Sequence, residues 1–331
     1  MANEKAKKIT SIGGSALIEG IMMRGPKKTM VAVRTAPDKI ETEELEVKTL
    51  SSKSKFFRVP FIRGIAGMID SLKLSYKSLM LSANKAIDSI EVEEESMSKF
   101  EKWLNDKLGE KLMNVVMTIA SVLGVALAVV LFIWVPSLLY GLLEPLHPVF
   151  DNPLLRSAFE GILRIALFLG YIIIVSQMED MKRVFMYHGA EHKTIFCYEA
   201  DEELTVENIR KHKRFHPRCG TSFMIIMLIL GIVIGLFVPS FSETFGIWGT
   251  ILRAAIKILL LPLTVGIGYE LIKLCGKHDN WFTRIIAAPG MWAQRITTRE
   301  PDDSMIEIAI AAITPVIPDD GSDIVSKGCC K

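Results

Sequence analysis

LMNVVMTIASVLGVALAVVLFIWVPSLLYGLL, residues 112–143, contains no charged side chain. A helix needs about 20 consecutive apolar residues to cross a bilayer, so this stretch predicts a membrane span. It sets the expected fold class: an α-helical polytopic membrane protein. Residues 221–242 are likewise uncharged and predict a second span. Two further candidates carry charge. Residues 154–178 hold Arg156, Glu160 and Arg164 at i, i+4 and i+8, and residues 247–275 hold Arg253, Lys257 and Glu270 around Pro262. Charges inside a bilayer face protein or water, so these two predict spans that share a polar seam. The seam reads as internal ion pairing, or else as a pocket for an anionic headgroup.

Four spans, about 112–142, 155–178, 221–241 and 251–274, divide the chain. Residues 1–110 form an N-terminal α+β region, 111–275 the membrane region with a central loop over 179–220, and 276–331 a C-terminal region. Segments 141–156 and 239–250 carry one basic residue between them, Arg156. The central loop carries Lys182, Arg183, Lys193, Arg210, Lys211, Lys213, Arg214 and Arg218. Positive charge stays inside, which predicts a multi-pass protein with both termini and the central loop cytoplasmic. The basic start, Met1 to Thr10, is not followed by the apolar region of a signal peptide. Cys197 and Cys219 fall in the cytoplasmic loop, where thiols stay reduced, and Cys329-Cys330 make no prenylation box.

Residues 11–50 read as strands. Gly13-Gly14 and Gly25-Pro26 signal turns, and Ala36-Pro37-Asp38-Lys39 links two alternating runs into a hairpin. From Phe61 onward, Ile62, Ile65, Met68, Ile69, Leu72, Tyr76 and Leu79 follow helical spacing and predict an amphipathic helix packed on the cytoplasmic domain or lodged at the membrane surface. Glu91 to Glu95 reads as an acidic linker, and Ser98 as the cap of a helix through Trp103 into the first span. Pro289-Gly290 reads as a break, and Asp302 to Ile313 as a short helix ending at Pro315. The N-terminal glycines match no phosphate-binding loop. Glu19 and Arg24 are candidates to point at a site.

The central loop carries the chemistry. His188-Gly189-Ala190-Glu191-His192 places two imidazoles on one helical face, the usual way to hold zinc or a similar divalent ion. H-x-x-E-H is also the inverted zinc-protease pattern, with the glutamate as general base. Glu199, His216 and Cys219 are candidates for a third ligand. Helix capping by these histidines is the structural alternative. A metal-free acid–base or thiol site is another, in which Arg218 would lower the pKa of Cys219. Arg210, Lys211, Lys213 and Arg214 form a basic cluster suited to anionic lipid heads or a phosphate-bearing partner. With no interleaved aromatic beyond Phe215, sequence-specific nucleic-acid binding is not expected.

Gly13-Gly14 through Glu19-Gly20-Ile21-Met22-Met23-Arg24-Gly25, then YHGAEHK from Tyr187, HPRCGTSF from His216 and TTREP from Thr297, together resemble the YqhQ family of bacterial membrane proteins. The resemblance runs from about residue 11 to 314. It implies a bacterial cell-membrane protein and a metal-dependent enzyme. By position it marks His188, Glu191, His192, Glu199, His216, Arg218 and Cys219, with Arg24, Arg299 and Glu307 in outer motifs. Ser15 stands where the pattern has glutamine, and His212 lies outside the pattern.

The expected function is therefore a metal-dependent membrane hydrolase acting on a membrane-proximal substrate, with zinc as the expected ion. His188 and His192 would be ligands, completed by Cys219 or His216, with Glu191 orienting or deprotonating the attacking water. The alternative is a non-catalytic accessory factor of a membrane-protein assembly, such as the translocation channel, with a structural His/Cys cluster. A transporter is a weaker third option, because no broken helices recur in matching halves.

Overall fold

The computed structural model describes residues 7–36, 38–46, 49–50, 54–89, 115, 118–239, 246–277 and 280–327. The chain divides into two compact units. One is built from 1–89, 171–227 and 262–331, the other from 90–170 and 228–261. In chain order the helices are α1 Ile62–Ser89, α2 Thr118–Leu146, α3 Pro153–Val175, α4 Glu179–Glu199 and α5 Val206–Lys211, then α6 Gly220–Leu236, α7 Ile247–Leu259, α8 Leu261–Lys277, α9 Trp281–Thr297 and α10 Asp303–Ile313.

In the first unit β1 (Lys8–Thr10) pairs antiparallel with β6 (Ile324–Lys327), joining the two ends of the chain. A four-stranded antiparallel meander runs β2 (Gly13–Leu17), β3 (Gly20–Arg24), β4 (Thr29–Ala36) and β5 (Lys39–Glu44). Strand side chains alternate between faces, and here both faces are covered. Leu17, Met22, Val31 and Val33 pack on Leu74 of α1. Ile21, Met23, Met30 and Ala32 face Tyr187 and Ala190 of α4 and Ile306 and Ile313 of α10. β3 and β4 are thus apolar on successive residues and not only on alternate ones.

The amphipathic helix after Phe61 is α1, and its partner is the sheet. At its start, Arg63 holds Glu270 of α8 through Nε and Nη2 at 2.7 and 2.5 Å. α10 begins where the sequence predicts, with the Asp302 side chain accepting from Met305 N–H at 2.9 Å.

Two sequence expectations fail here. Gly13 and Gly14 do not turn; they open β2. Pro289-Gly290 does not break the chain, because α9 runs through it. Pro289 forgoes one backbone bond, but Gly290 lets α9 approach α6: a Cβ there would meet Ser222 Cα at 2.5 Å. Tertiary packing holds the helix together across the proline. The acidic linker, Ser98, Trp103 and Cys329-Cys330 lie outside the described residues.

Among the described residues two helices are long and apolar enough to cross a membrane, α2 and α3, or three if the broken pair α7 and α8 is one span. The uncharged run expected as a clear span over 221–242 forms only α6, 17 residues long. At about 1.5 Å per residue it falls short of a hydrocarbon core about 30 Å thick, and Pro239 follows soon after its end. The charged candidate over 154–178 forms the full-length α3 instead.

In the second unit the charges of α3 are paired. Glu160, wholly buried, accepts from Ser137 Oγ at 3.0 Å, Arg156 Nε at 3.3 Å, Arg164 Nη2 at 3.3 Å, Arg253 Nη1 at 3.2 Å and Lys257 Nζ at 2.5 Å. The expected polar seam is thus a cluster centred on Glu160, with Glu144 also accepting from Arg156 Nη1 at 3.2 Å. Pro136 cannot bond the carbonyl one turn back, that of Phe132, and Arg164 Nε donates to it at 2.7 Å. A π turn over Val130–Trp134 accompanies this defect. Pro262 likewise follows the break between α7 and α8.

Candidate functional site

α4 carries the site. Its first turn presents Glu179 and Asp180 to the positive end of the helix dipole, and it ends before Asp201, at φ 61°. Its middle is buried yet polar: Glu191, His192, Lys193, Thr194 and Glu199 all lie inside. A helix interior that breaks the apolar rule in this way marks a functional segment. Gly189 permits the burial, because a Cβ there would sit 2.0 Å from the Arg299 carbonyl of the TTREP segment. Arg299 N–H in turn donates to the Phe185 carbonyl at 2.8 Å.

His188, His192 and Cys219 come together, with one ligand atom from each within 4.8 Å of the others. Backbone carbonyls fix both rings. His188 Nδ1 donates to Thr297 O at 2.8 Å, and His192 Nδ1 to Arg214 O at 2.5 Å. A carbonyl only accepts, so each neutral imidazole carries its proton on Nδ1 and leaves the Nε2 lone pair free. His188 Nε2 lies 3.1 Å from Cys219 Sγ, and His192 also hydrogen-bonds the thiol. Burial holds the His192 pKa below its ordinary value, which keeps the ring neutral. One thiol proton thus faces two imidazole lone pairs. A divalent cation in its place would satisfy all three donors, and backbone-anchored histidines are the usual outer support of such a site. The donor set fits a metal.

The Cys219 thiol lies below its ordinary pKa. Burial works against the thiolate, but hydrogen bonding to His192 and to the hydroxyl of Thr221, at 3.2 Å, outweighs it. Arg218, expected to play that part, is turned elsewhere: it pairs with Glu199 and donates from Nη1 to Thr10 O at 2.5 Å.

Glu199 and His216 do not join the trio. Glu199 accepts Thr10 N–H at 2.9 Å and faces His216 Nε2 at 3.7 Å. Burial opposes its ionisation, yet the hydrogen bond with His216 and the charge of Arg218 hold its pKa below the usual value. Both His216 nitrogens are engaged: Nδ1 accepts Arg218 N–H at 3.3 Å, while Nε2 faces Glu199 and Arg218. The ring stacks beside His192, with centroids 5.6 Å apart. His216, Glu199 and Arg218 therefore form a layer behind the trio.

Glu191 is fully buried. Its Oε1 accepts Gly14 N–H at 3.1 Å, and its Oε2 has no hydrogen-bond partner among the described residues. Burial pushes its pKa up to about 7. Gly14 serves this contact. A Cβ on Gly14 would meet Met22 O at 2.6 Å and Glu191 Cδ at 3.0 Å.

The outer motif residues fall elsewhere. Arg299 Nη2 holds the Ser176 carbonyl at 2.9 Å, Glu307 lies 3.7 Å from Arg34, and Arg24 ends β3, partly buried. Glu19 points at Arg183, bonded at 2.5 and 2.6 Å, and at Tyr187 Oη at 3.1 Å. In the basic cluster, Arg210 pairs with Asp303, Lys211 with Glu207 and Arg214 with Glu300. His212, outside the family pattern, lies with Cys197 and Glu202 in a second group of ligand-type atoms within 4.8 Å.

Gln294 was missed by sequence reasoning. Wholly buried, it accepts His216 N–H at 2.7 Å and donates to His216 O at 2.7 Å and Ser222 Oγ at 3.0 Å. A lone glutamine on an apolar helix is the signal, and only the fold shows what it holds.

A family described as "Protein of unknown function (DUF1385)" matches residues 59–319. The chain is 33% identical over 315 residues to "Uncharacterized protein YqhQ" of Bacillus subtilis (strain 168), covering 95% of this chain and 94% of that one. No solved structure matches. The motifs around the trio and the similarity along nearly the whole chain agree: the protein belongs to the DUF1385 family, together with YqhQ.

Proposed function

We propose that this chain is a multi-pass protein of the bacterial cell membrane that works as a metal-dependent hydrolase on a membrane-proximal substrate. Its central segment and both termini lie on the cytoplasmic side. Support for the topology comes from the apolar α2 and α3 and from the concentration of Lys and Arg in 179–220. One observation carries the site: three ligand atoms of His188, His192 and Cys219 converge, with one thiol proton among them, beside a buried Glu191 oxygen that has no hydrogen-bond partner among the described residues.

His188 and His192 through Nε2, and Cys219 through Sγ, would hold the ion, and a nitrogen–sulfur set of this kind favours zinc. With both nitrogens of His216 engaged, the described residues offer three ligands and would leave one position open, as catalytic sites do. The bound ion would supply Lewis acidity and lower the pKa of water towards neutrality. Glu191 does the proton work: Gly14 N–H pins Oε1, which leaves Oε2 to take a proton from water and return it to a leaving group. Thr297 O and Arg214 O keep both imidazoles in the ligating tautomer throughout.

Elemental mass spectrometry on untagged, detergent-purified protein tests this. About one zinc per chain is expected in wild type and in Glu191→Gln, and little in His188→Ala/His192→Ala. Wild type free of metal after zinc loading, with circular dichroism intact, sinks the proposal. A growth phenotype that survives Glu191→Gln but not charge reversal of Arg210, Lys211, Lys213 and Arg214 would favour a docking role over chemistry.

A further inference from the structure

Beside the trio, within the same compact unit, lies a cavity of about 620 Å³. That is the size of an ordinary ligand pocket, roughly 300–1,000 Å³. Its lining is divided in character. Ile173, Met186 and Ile296 are apolar, while Arg214, Arg295 and Arg299 bring three guanidinium groups.

The cationic charge is under-compensated. Glu300 is the one carboxylate of the lining, and it serves two cations, Arg214 at 3.5 Å and Lys193. Arg299 spends a hydrogen bond on the neutral Ser176 carbonyl. Planar guanidinium forks match tetrahedral oxyanions, so a phosphate-type anion suits the three guanidinium groups that share the lining with one carboxylate.

The position of the pocket narrows the source. Ile173 and Ser176 stand at the C-terminal end of α3, where its apolar run stops at Val175. If α3 spans the bilayer, that end lies at headgroup depth. Apolar lining at the same place suits the glycerol and first methylenes of a lipid. We propose that this cavity binds the phosphate of a phosphodiester, presented by a membrane lipid headgroup. The span reading of α3 bears on the lipid source alone, and the metal reading is not used.

The test is calorimetric titration of the full chain in detergent. The probes are dihexanoyl phosphatidylglycerol, glycerol 3-phosphate and inorganic phosphate. Saturable binding of the lipid, weakened about tenfold in Arg295→Gln/Arg299→Gln, is the expected result. Binding of inorganic phosphate or glycerol 3-phosphate as tight as that of the lipid, with the same arginine dependence, supports the phosphate site and assigns it a soluble source. No saturable binding by any probe overturns the proposal, and so does lipid binding unchanged in the double variant. Arg295 is exposed, so Arg295→Gln alone is expected to fold and to weaken binding on its own. Its metal content should equal wild type, which keeps a failure here separate from a failure of the metal site.

Discussion

Gly13→Ala and Gly14→Ala are adjacent substitutions with opposite expected outcomes. A Cβ on Gly13 meets nothing within 4 Å, while one on Gly14 lies 2.6 Å from Met22 O, 2.9 Å from Met23 Sδ and 3.0 Å from Glu191 Cδ. Met22 O belongs to the β3 backbone, so no rotamer change relieves the clash and the strands must part. Overpacking of this kind costs about 1–3 kcal/mol. Displacing Glu191 also removes the 3.1 Å bond from Gly14 N–H to a carboxyl that has no other hydrogen-bond partner among the described residues. An unsatisfied buried group adds about 1–3 kcal/mol. Gly14→Ala should therefore lose about 2–6 kcal/mol, or roughly 4–24 °C in midpoint for a cooperative unit of this size. Gly13→Ala should be neutral or gain up to about 1 kcal/mol from a less flexible unfolded chain. Thermal unfolding of both proteins in one detergent, followed by circular dichroism, makes the comparison. Equal losses at both positions would falsify the close-approach account and restore a turn role for the pair.

Glu160→Gln removes the carboxylate on which Arg156, Arg164, Arg253 and Lys257 converge, and breaking a buried pair from one side costs about 3–5 kcal/mol. A sharp fall in purified yield and midpoint is expected, and wild-type stability would refute the pairing. Gln294→Leu keeps the volume but strands His216 N–H and leaves His216 O only the 3.4 Å bond from Cys219 N–H, for a loss of about 1–3 kcal/mol in the same unfolding assay. Glu19 is one of the acid-sensitive groups. Burial opposes its ionisation, but the hydrogen bonds and charge of Arg183 and the Tyr187 hydroxyl hold its folded pKa below 4.5. Its contribution is full above that value and lost as pH falls through the depressed one. Glu19→Gln should therefore flatten the acid limb of stability below about pH 4.5 and leave its slope near pH 7 unchanged; an acid limb identical to wild type counts against it.

Much of the molecule is legible in local pattern. Uncharged length identifies α2, alternation with Gly-Pro punctuation identifies β4 and β5, and Asp302 with its apolar run identifies α10. These features depend on neighbours in the chain, so the chain reveals them. The i, i+4 spacing of His188 and His192 likewise puts two ligands on one face before any fold is known. The third position was open among Glu199, His216 and Cys219, since its partners lie about thirty residues away in sequence. The fold brings Cys219 to the trio and commits Glu199 and His216 to Arg218. Gly14, Gly189 and Gly290 show the same limit. Each allows an approach between segments distant in sequence, and a glycine carries no sign of what it approaches. Composition and periodicity determined the apolar helices, the β4–β5 hairpin and the histidine pair, because those rest on short-range geometry. Tertiary structure alone decided the convergence of Cys219 on the histidine pair, the Glu191 oxygen with no partner among the described residues and the arginine-lined cavity, because each depends on which carbonyls and charges meet across the core.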